Sequence, residues 1–314
     1  MLENERSYYF QQEKSGVIEI SGADRLDFLQ RQTTNDLKLL APGQSIVTIL
    51  TSPSARILDV LWVVDEDNGH YNILTLPGQG SKTIEFLNSR IFFMDKVTLE
   101  NQSDEFIQFD LFGNGIPDLL RGLGVDPDLG KSTVGYFKVK SLTGKALTNP
   151  HIGTRLLFPS SQKKEAEALL DDNNFQPLSP GDYQILRIEL GIPAAGQELV
   201  EDYTPLEIGY QWAISENKGC YTGQEVIARQ VNYDKVTRHL VGLSQAETPE
   251  EKEIVYSREN GQPVGKVTSA ALSPRFGSIA LAVIKRPFHE PGTALFFRQG
   301  DQELEAVAIK LPFQ

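Results

Sequence analysis

The chain has 314 residues, 40% of them apolar, which is enough for two or three domains with cores of their own and excludes disorder as the default state. Thirty Lys and Arg against 42 Asp and Glu give a net charge of -12, which argues against indiscriminate binding to nucleic acid or to anionic membranes. A single cysteine rules out an intrachain disulfide, and no multi-cysteine zinc or iron–sulfur centre can be built from this chain alone.

The first residues, "MLENERSYYF", contain no basic segment leading into an apolar core, and apolar runs such as "ILDVLWVV" are broken by charge well short of a bilayer's width. A soluble, cytoplasmic protein is expected, or one of an organelle matrix or stroma if a targeting segment has been removed. "SGVIEI" reads as a strand, and Ser21 with Asp24 has the spacing of a capping box, so a helix is expected there with Leu26, Phe28 and Leu29 toward a core. The polar turns of "QTTNDLKLLAPGQ" form a candidate ligand rim, with Asn35 and Asp36 as its candidate binding residues.

From Ser45 to about Gly113 the pattern is strand, strand, strand, helix, strand, strand, with Ile84, Leu87 and Ile91 on one face of the helix. A mostly antiparallel α+β fold follows. Residues 113–150, rich in Gly, Asp and Leu, are expected to close this lobe. "SSQKKEAEALLDDNN" is helical, and "LSPGDYQILRIELGIP" carries a full set of helix signals: Ser179 as cap, Pro180 at the first position, Asp182 completing the box, then Gly191 and Pro193. Thr204 to Glu207, "TPLE", reads as another helix start. After about Val236 only strand patterns remain, with hairpin signals at Asn260-Gly261 and around Gly300-Asp301, so a small all-β barrel or sandwich is expected.

The lone cysteine stands in "KGCYTGQEVIAR", Lys218 to Arg229. Thr222 and Glu225 have capping-box spacing, which puts Cys220 just outside a helix N-terminus, where the dipole and Lys218 favour a thiolate. Gly219 and Gly223 leave room for close approach. The residues fit a reactive, ligand-facing thiol and equally a small buried hydrophobe in a tight turn. Glu189 sits at the C-terminal end of its helix, a placement unfavourable by about 0.3–1 kcal/mol. It either accepts paired hydrogen bonds from the amino edge of a pterin or guanine, or is an ordinary solvated glutamate. "PGQGSKT" lacks the order of a phosphate loop, and His70, His151, His239 and His289 show no paired spacing for a metal. A Cys220–His239 dyad stays open, and Arg229, Lys235 and Arg238 make a locally basic stretch.

"KGCYTGQEVIAR" resembles the signature of the YgfZ family, folate-binding relatives of the glycine-cleavage T-protein (GcvT) that support iron–sulfur proteins. "SGADRLDFLQRQTTND", "LRIELGIPAAGQEL", "YTPLEIGY" and "VGKVTSAALSPRFGSIALAVIK" are similar to further blocks of that family, so the resemblance spans nearly the whole chain. It implies a three-lobed T-protein-like fold around a central folate channel, with a composite domain of residues 1–44 and 146–235, an inserted α+β lobe at 45–145 and a C-terminal barrel at 236–314. The implied ligand is tetrahydrofolate or a one-carbon derivative, held by Glu189. The implied functional motif is Cys220 with Lys218, Gly219, Tyr221, Gly223, Gln224, Glu225 and Arg229, serving iron–sulfur client or assembly proteins that include tRNA-thiomethylating enzymes. T-proteins place a catalytic aspartate where this chain reads "TLPGQGSKT" and offers no acid, which argues against aminomethyl transfer. The alternatives are a folate-dependent one-carbon transferase and a redox-sensing adaptor.

Overall fold

The computed structural model describes residues 6–66, 68–128, 132–245, 247–299 and 302–314. The first strands are β1 (Ser7–Gln11) and β2 (Ser15–Ser21), then α1 (Arg25–Gln32), β3 (Ser45–Thr51), β4 (Ile57–Asp65) and β5 (His70–Pro77). α2 (Gly80–Asn88), β6 (Thr98–Asn101), β7 (Phe106–Phe112) and α3 (Ile116–Gly122) follow. β8 (Thr133–Val139), β9 (Leu142–Asn149), β10 (Gly153–Pro159), α4 (Lys163–Asp172), β11 (Phe175–Pro177), α5 (Pro180–Glu189) and α6 (Gln224–Asn232) complete the first two-thirds.

These strands make two sheets, of order β3-β4-β5-β2-β6 and β11-β1-β7-β10-β9-β8, antiparallel except for the β1–β11 pair. Alternation along each strand decides what lies on either side. In the five-stranded sheet Ile18, Ile20, Leu61, Val63 and Ile73 face Phe28 and Leu29 of α1 and Leu87 of α2. Its opposite face presents Val17, Val47, Val60, Trp62 and Leu74, which meet Val134, Leu147 and Leu157 of the six-stranded sheet. That second sheet turns Phe109, Leu111, Leu156 and Phe158 toward α3 and α4. Two sheets therefore stand face to face, each covered outside by helices.

Strand pairing divides the chain differently from the expected boundaries. β2, assigned to the composite domain, lies between β5 and β6, while β7 and β8, assigned to the inserted lobe, belong to the other sheet. The reason is burial on both faces: Val17 enters the layer between the sheets and Ile18 and Ile20 enter the outer one, which a central strand position supplies. Residues 113–150, expected only to close a lobe, contain α3, β8 and β9.

β12 (Arg238–Gln245), β13 (Ile254–Ser257), β14 (Pro263–Ser273), β15 (Gly277–Lys285), β16 (Ala294–Gln299) and β17 (Gln302–Ile309) form a closed barrel. Asn260 and Gly261 make the β13–β14 turn, where Gly261 has φ +69 and donates to the Ser257 carbonyl at 2.8 Å. The turn signal at Gly300-Asp301 lies outside the described residues. Among the described residues no helix is long and apolar enough to cross a membrane.

Local helix signals have mixed outcomes. At α5 Ser179 accepts from the Asp182 N–H at 3.1 Å, as its spacing indicates. At α1 the Ser21–Asp24 box does not form: the helix starts at Arg25, and the Asp24 carboxylate accepts from the Lys96 N–H instead. At "TPLE" Glu207 does reach back to the Thr204 N–H, at 2.9 Å, but turns follow rather than a helix.

One acid is fully enclosed. Asp59 on β4 accepts hydrogen bonds from the N–H groups of Val60 and Leu76 and from Thr83 Oγ1 on α2, at 2.8, 3.0 and 2.5 Å. Burial nonetheless raises its pKa to about 7. A folded-state value above the unfolded one means stability fully present at low pH and lost as pH rises toward 7. Against Asp59→Asn, the native protein should lose on the order of 1–2 kcal/mol more between pH 5.5 and 7. Urea midpoints across that range check this, and parallel curves would contradict it.

Candidate ligand pocket and cysteine loop

A cavity of about 250 Å³ opens between the two sheets, beside α5. Val47, Val60, Trp62, Leu74 and Tyr210 give it apolar and aromatic walls, and Gln12, Asp110, Arg155 and Tyr183 gather at a polar end. Asp110 on β7 and Arg155 on β10 are cross-strand partners, so their side chains share a face. Arg155 grips Asp110 through Nε at 2.5 Å and Nη2 at 3.0 Å, and its Nη1 donates to Gln108. Gln12 Nε2 donates to Asp110 at 2.6 Å and to the Tyr183 hydroxyl at 2.9 Å. Burial pushes the Tyr183 hydroxyl above its ordinary pKa, so it stays a neutral donor. Tyr183 is fixed by stacking on Phe10, with ring centroids 3.9 Å apart. The result is a mostly apolar cavity with convergent hydrogen-bonding groups, the usual composition of a small-molecule site.

The wall formed by Ile192 to Ala195 and Leu199 is held from behind. Arg187 and Glu198, each 0% exposed, pair at 3.3 Å. Arg187 Nη2 donates to Ser269 Oγ at 2.6 Å, Ser269 donates to Glu198 at 2.6 Å, and Glu198 also accepts from the Ala194 N–H at 3.0 Å. Helix α5, the pocket wall and barrel strand β14 are joined in one network.

Glu189 is placed otherwise than expected. It is buried, but its carboxylate accepts from Ser273 Oγ at 2.6 Å and from Arg275 Nη1 at 3.3 Å, both from the barrel, and it does not line the pocket. The unfavourable end of the helix dipole is offset by an arginine from another domain. A solvated glutamate therefore does not describe it, and its carboxylate is met by protein groups. Asn35 and Asp36 also lie elsewhere, beside Gln44, His151 and Trp212: Asn35 donates to the Val47 carbonyl, and Asp36 accepts from Gln30 and from the Lys38 N–H.

Cys220 is exposed, which removes the buried-hydrophobe alternative. Its surroundings differ from the sequence reading in two respects. The cap of α6 is Gly223, without a side-chain hydrogen bond, so Thr222 does not cap and Cys220 stands three residues before the cap. The Lys218 ammonium turns inward, donating at 2.6 Å to the carbonyls of both Thr33 and Asn35, and burial lowers its pKa to about 8. It anchors the loop rather than activating the thiol. Gly223 has φ +85, and a Cβ there would lie 2.8 Å from the Ser52 carbonyl oxygen, so the close approach it permits is to the 51–55 turn. Tyr221 packs with Ala55 and Ile227, Gln224 opens α6, Glu225 and Arg229 pair across one exposed turn at 2.6 Å, and the space at Gly219 is open. His239 is stacked on His289, with centroids 4.2 Å apart.

Gln12, Trp62, Asp110, Arg155, Tyr183 and Tyr210 were not singled out by sequence. The only local trace is "FIQFDLF", where Gln108 and Asp110 occupy alternate positions of a strand otherwise apolar, marking a face with polar business.

Comparison with known proteins bears on the fold that carries these regions. Residues 4–149 match the model of the GCVT N-terminal domain, and residues 238–314 match that of the glycine cleavage T-protein C-terminal barrel domain. A protein of Arabidopsis thaliana, provisionally named as a chloroplastic transferase, is 32% identical over 264 residues, 81% of this chain and 59% of its own length. The chain thus spans less than two-thirds of that relative. The aminomethyltransferase of Bacillus subtilis is 28% identical over 311 residues, covering 95% of this chain and 85% of the relative. The crystal structure of glycine cleavage system aminomethyltransferase T from Bartonella henselae superimposes with a TM-score of 0.85 at 20% identity, over 99% of this chain and 87% of that one. The fold is that of an aminomethyltransferase, with the closed six-stranded barrel at its end.

The two parts of the cysteine loop should respond differently to mutation. Cys220→Ala, at an exposed site, should change stability by less than about 0.5 kcal/mol. Gly223→Ala, which combines a positive φ with a backbone clash, should cost about 1–3 kcal/mol. Thermal melting of both variants checks this, and a Cys220→Ala loss as large as that of Gly223→Ala would contradict it.

Proposed function

The chain carries the N-terminal domain and the C-terminal barrel of the glycine cleavage T-protein family, and on that premise we propose that it binds a reduced folate between its two sheets and serves iron–sulfur proteins through Cys220. The observation that carries the folate half is the pocket's donor set. A pteridine is a flat heteroaromatic ring with one hydrogen-bonding edge. Trp62 and Tyr210 offer apolar faces for it, while Gln12, Arg155 and Tyr183 offer donors and acceptors at one end. Tetrahydrofolate, or a derivative carrying a one-carbon unit, would supply that unit when bound. The protein's own groups orient the ring and exclude water.

Aminomethyl transfer is the second reading, favoured by the names of the bacterial relatives. Against it stands the chemistry of the pocket. Asp110 is the one acid of its lining, and that carboxylate already accepts from Arg155 and Gln12. A transfer that needs a positioned proton acceptor has none free there. The cysteine loop is the part of the surface that fits a protein client: an exposed thiol beside open space at Gly219, on a loop anchored by Lys218 and clamped at Gly223. Iron–sulfur clients or assembly factors, tRNA-thiomethylating enzymes among them, are the partners this reading assigns to it.

Arg155→Leu should weaken tetrahydrofolate binding by about 2–4 kcal/mol, since it removes a charged donor from the polar end and releases the half-buried Asp110 it holds in place. Glu189→Gln, outside the pocket, should leave affinity nearly unchanged. Titration calorimetry distinguishes them, and the reverse pattern would restore Glu189 as the pterin partner. Cys220→Ala should bind folate normally yet fail to rescue cluster-enzyme activity in a cell lacking its own homologue. Full rescue by a folded Cys220→Ala protein, or ammonia release from an aminomethylated lipoyl carrier at enzymatic rates, would overturn this function.

A further inference from the structure

Lys82, Lys252 and Lys266 line a cleft of about 520 Å³ at the seam between the five-stranded sheet and the barrel. They come from α2, the approach to β13 and β14, and none of the three forms an ion pair among the described residues. Lys252 holds φ +71, a conformation an L residue rarely adopts, and its N–H is tied to the Val267 carbonyl at 2.9 Å. The cleft continues, through Lys266, Asp202 and Tyr203, into a second groove of about 450 Å³ where Arg56, Arg238 and Lys285 join. Glu201 and Asp202 are the acids that line these spaces, while Arg238 and Arg56 are met by the buried Glu207 at 2.8 and 3.5 Å. Four lysines against two lining acids make a local excess of positive charge on a protein of net charge -12. Crowding unpaired cations costs free energy unless an anion visits them.

The position of the cleft says which anion. Leu199 lines both this cleft and the pocket between the sheets, and the two spaces adjoin along residues 76–79 and 195–197. We infer that the seam is the binding groove for the oligo-γ-glutamate tail of the folate whose ring occupies the pocket. This rests on the folate reading of that pocket. Each glutamate adds one carboxylate on a flexible chain, a match for lysines, which are point charges on mobile stems. Single-stranded nucleic acid fits less well: it favours aromatic stacking platforms, and the groove's one aromatic, Tyr203, is buried beneath Arg238.

The test is calorimetric titration of tetrahydrofolate mono- and pentaglutamate at low and near-physiological salt. The pentaglutamate should bind at least ~10-fold tighter at low salt, with the advantage shrinking as salt screens the tail. A triple charge reversal, Lys82→Glu with Lys252→Glu and Lys266→Glu, should erase that advantage and leave monoglutamate affinity unchanged. Triple glutamine replacement serves if the reversal does not fold. Equal affinities in the native protein, or an advantage that survives the triple replacement, would overturn the groove. Absence of monoglutamate binding would instead defeat the pocket reading. The groove is then read from free oligo-γ-glutamate: salt-sensitive binding lost in the variant sustains it, and no binding overturns it. Tighter binding of a short RNA at the same lysines would overturn it in favour of a nucleic acid.

Discussion

The buried pair of Arg187 and Glu198 is the constraint on which the arrangement around the pocket turns. Two ions without exposure carry a desolvation cost of several kcal/mol each, so the pair persists only because its remaining valences are filled. Ser269, Gln184, the Ile192 carbonyl and the Ala194 N–H fill them. Those groups come from the three pieces that must meet: Gln184 from helix α5, Ile192 and Ala194 from the 192–199 wall, and Ser269 from the barrel. Loss of one ion would leave the other buried and alone, a change of about 3–5 kcal/mol. Two residues on, Glu189 repeats the device with Ser273 and Arg275, while its own carbonyl accepts from the Phe313 N–H at 2.9 Å. The C-terminal half of α5 is thereby clamped to the barrel by two acid–serine–arginine clusters, the first wholly buried and the second capped by the exposed Arg275. One end of the same helix positions Tyr183 in the pocket.

The same arrangement keeps the pocket and the thiol on separate elements. The pocket is made of strand residues in register and closed by α5, whereas Cys220 rides on a loop tied by Lys218 to the carbonyls after α1. Pocket and loop share a scaffold, since Thr33 and Asn35 precede β3 and Val47 of β3 lines the pocket. The anchoring lysine accounts for the "KGC" spelling differently from an electrostatic activator: its charge is consumed by two carbonyls inside the protein, and the glycine beside it leaves the thiol accessible.

Much of the secondary structure was legible because burial writes a period into the chain. Strands β3, β4, β5 and β7, helices α4 and α5 and the barrel region all follow from alternation and from caps such as Ser179. Sheet membership was not, because β1 and β2 are near neighbours in sequence and part into different sheets through partners up to 168 residues away. Capping-box spacing was an incomplete guide for the same reason. Thr204 and Glu207 make half of one with no helix behind it, since Glu207 is claimed by Arg238 and Arg56. The motif cysteine was visible as a one-off residue between glycines. The pocket was invisible, because Asp110 and Arg155 are 45 positions apart and become a site only through strand register. Glu189 was found by its anomaly on the helix dipole, and the anomaly was real, but the arginine that offsets it comes from the barrel and was not legible in the sequence.

The most direct test of the account is a crystal structure of the protein with tetrahydrofolate. The account places the pteridine between the two sheets, against Trp62 and Tyr210, with its hydrogen-bonding edge toward Gln12, Arg155 and Tyr183. A pteridine seated instead on the Glu189 carboxylate or beside Cys220, with the space between the sheets empty, would contradict it.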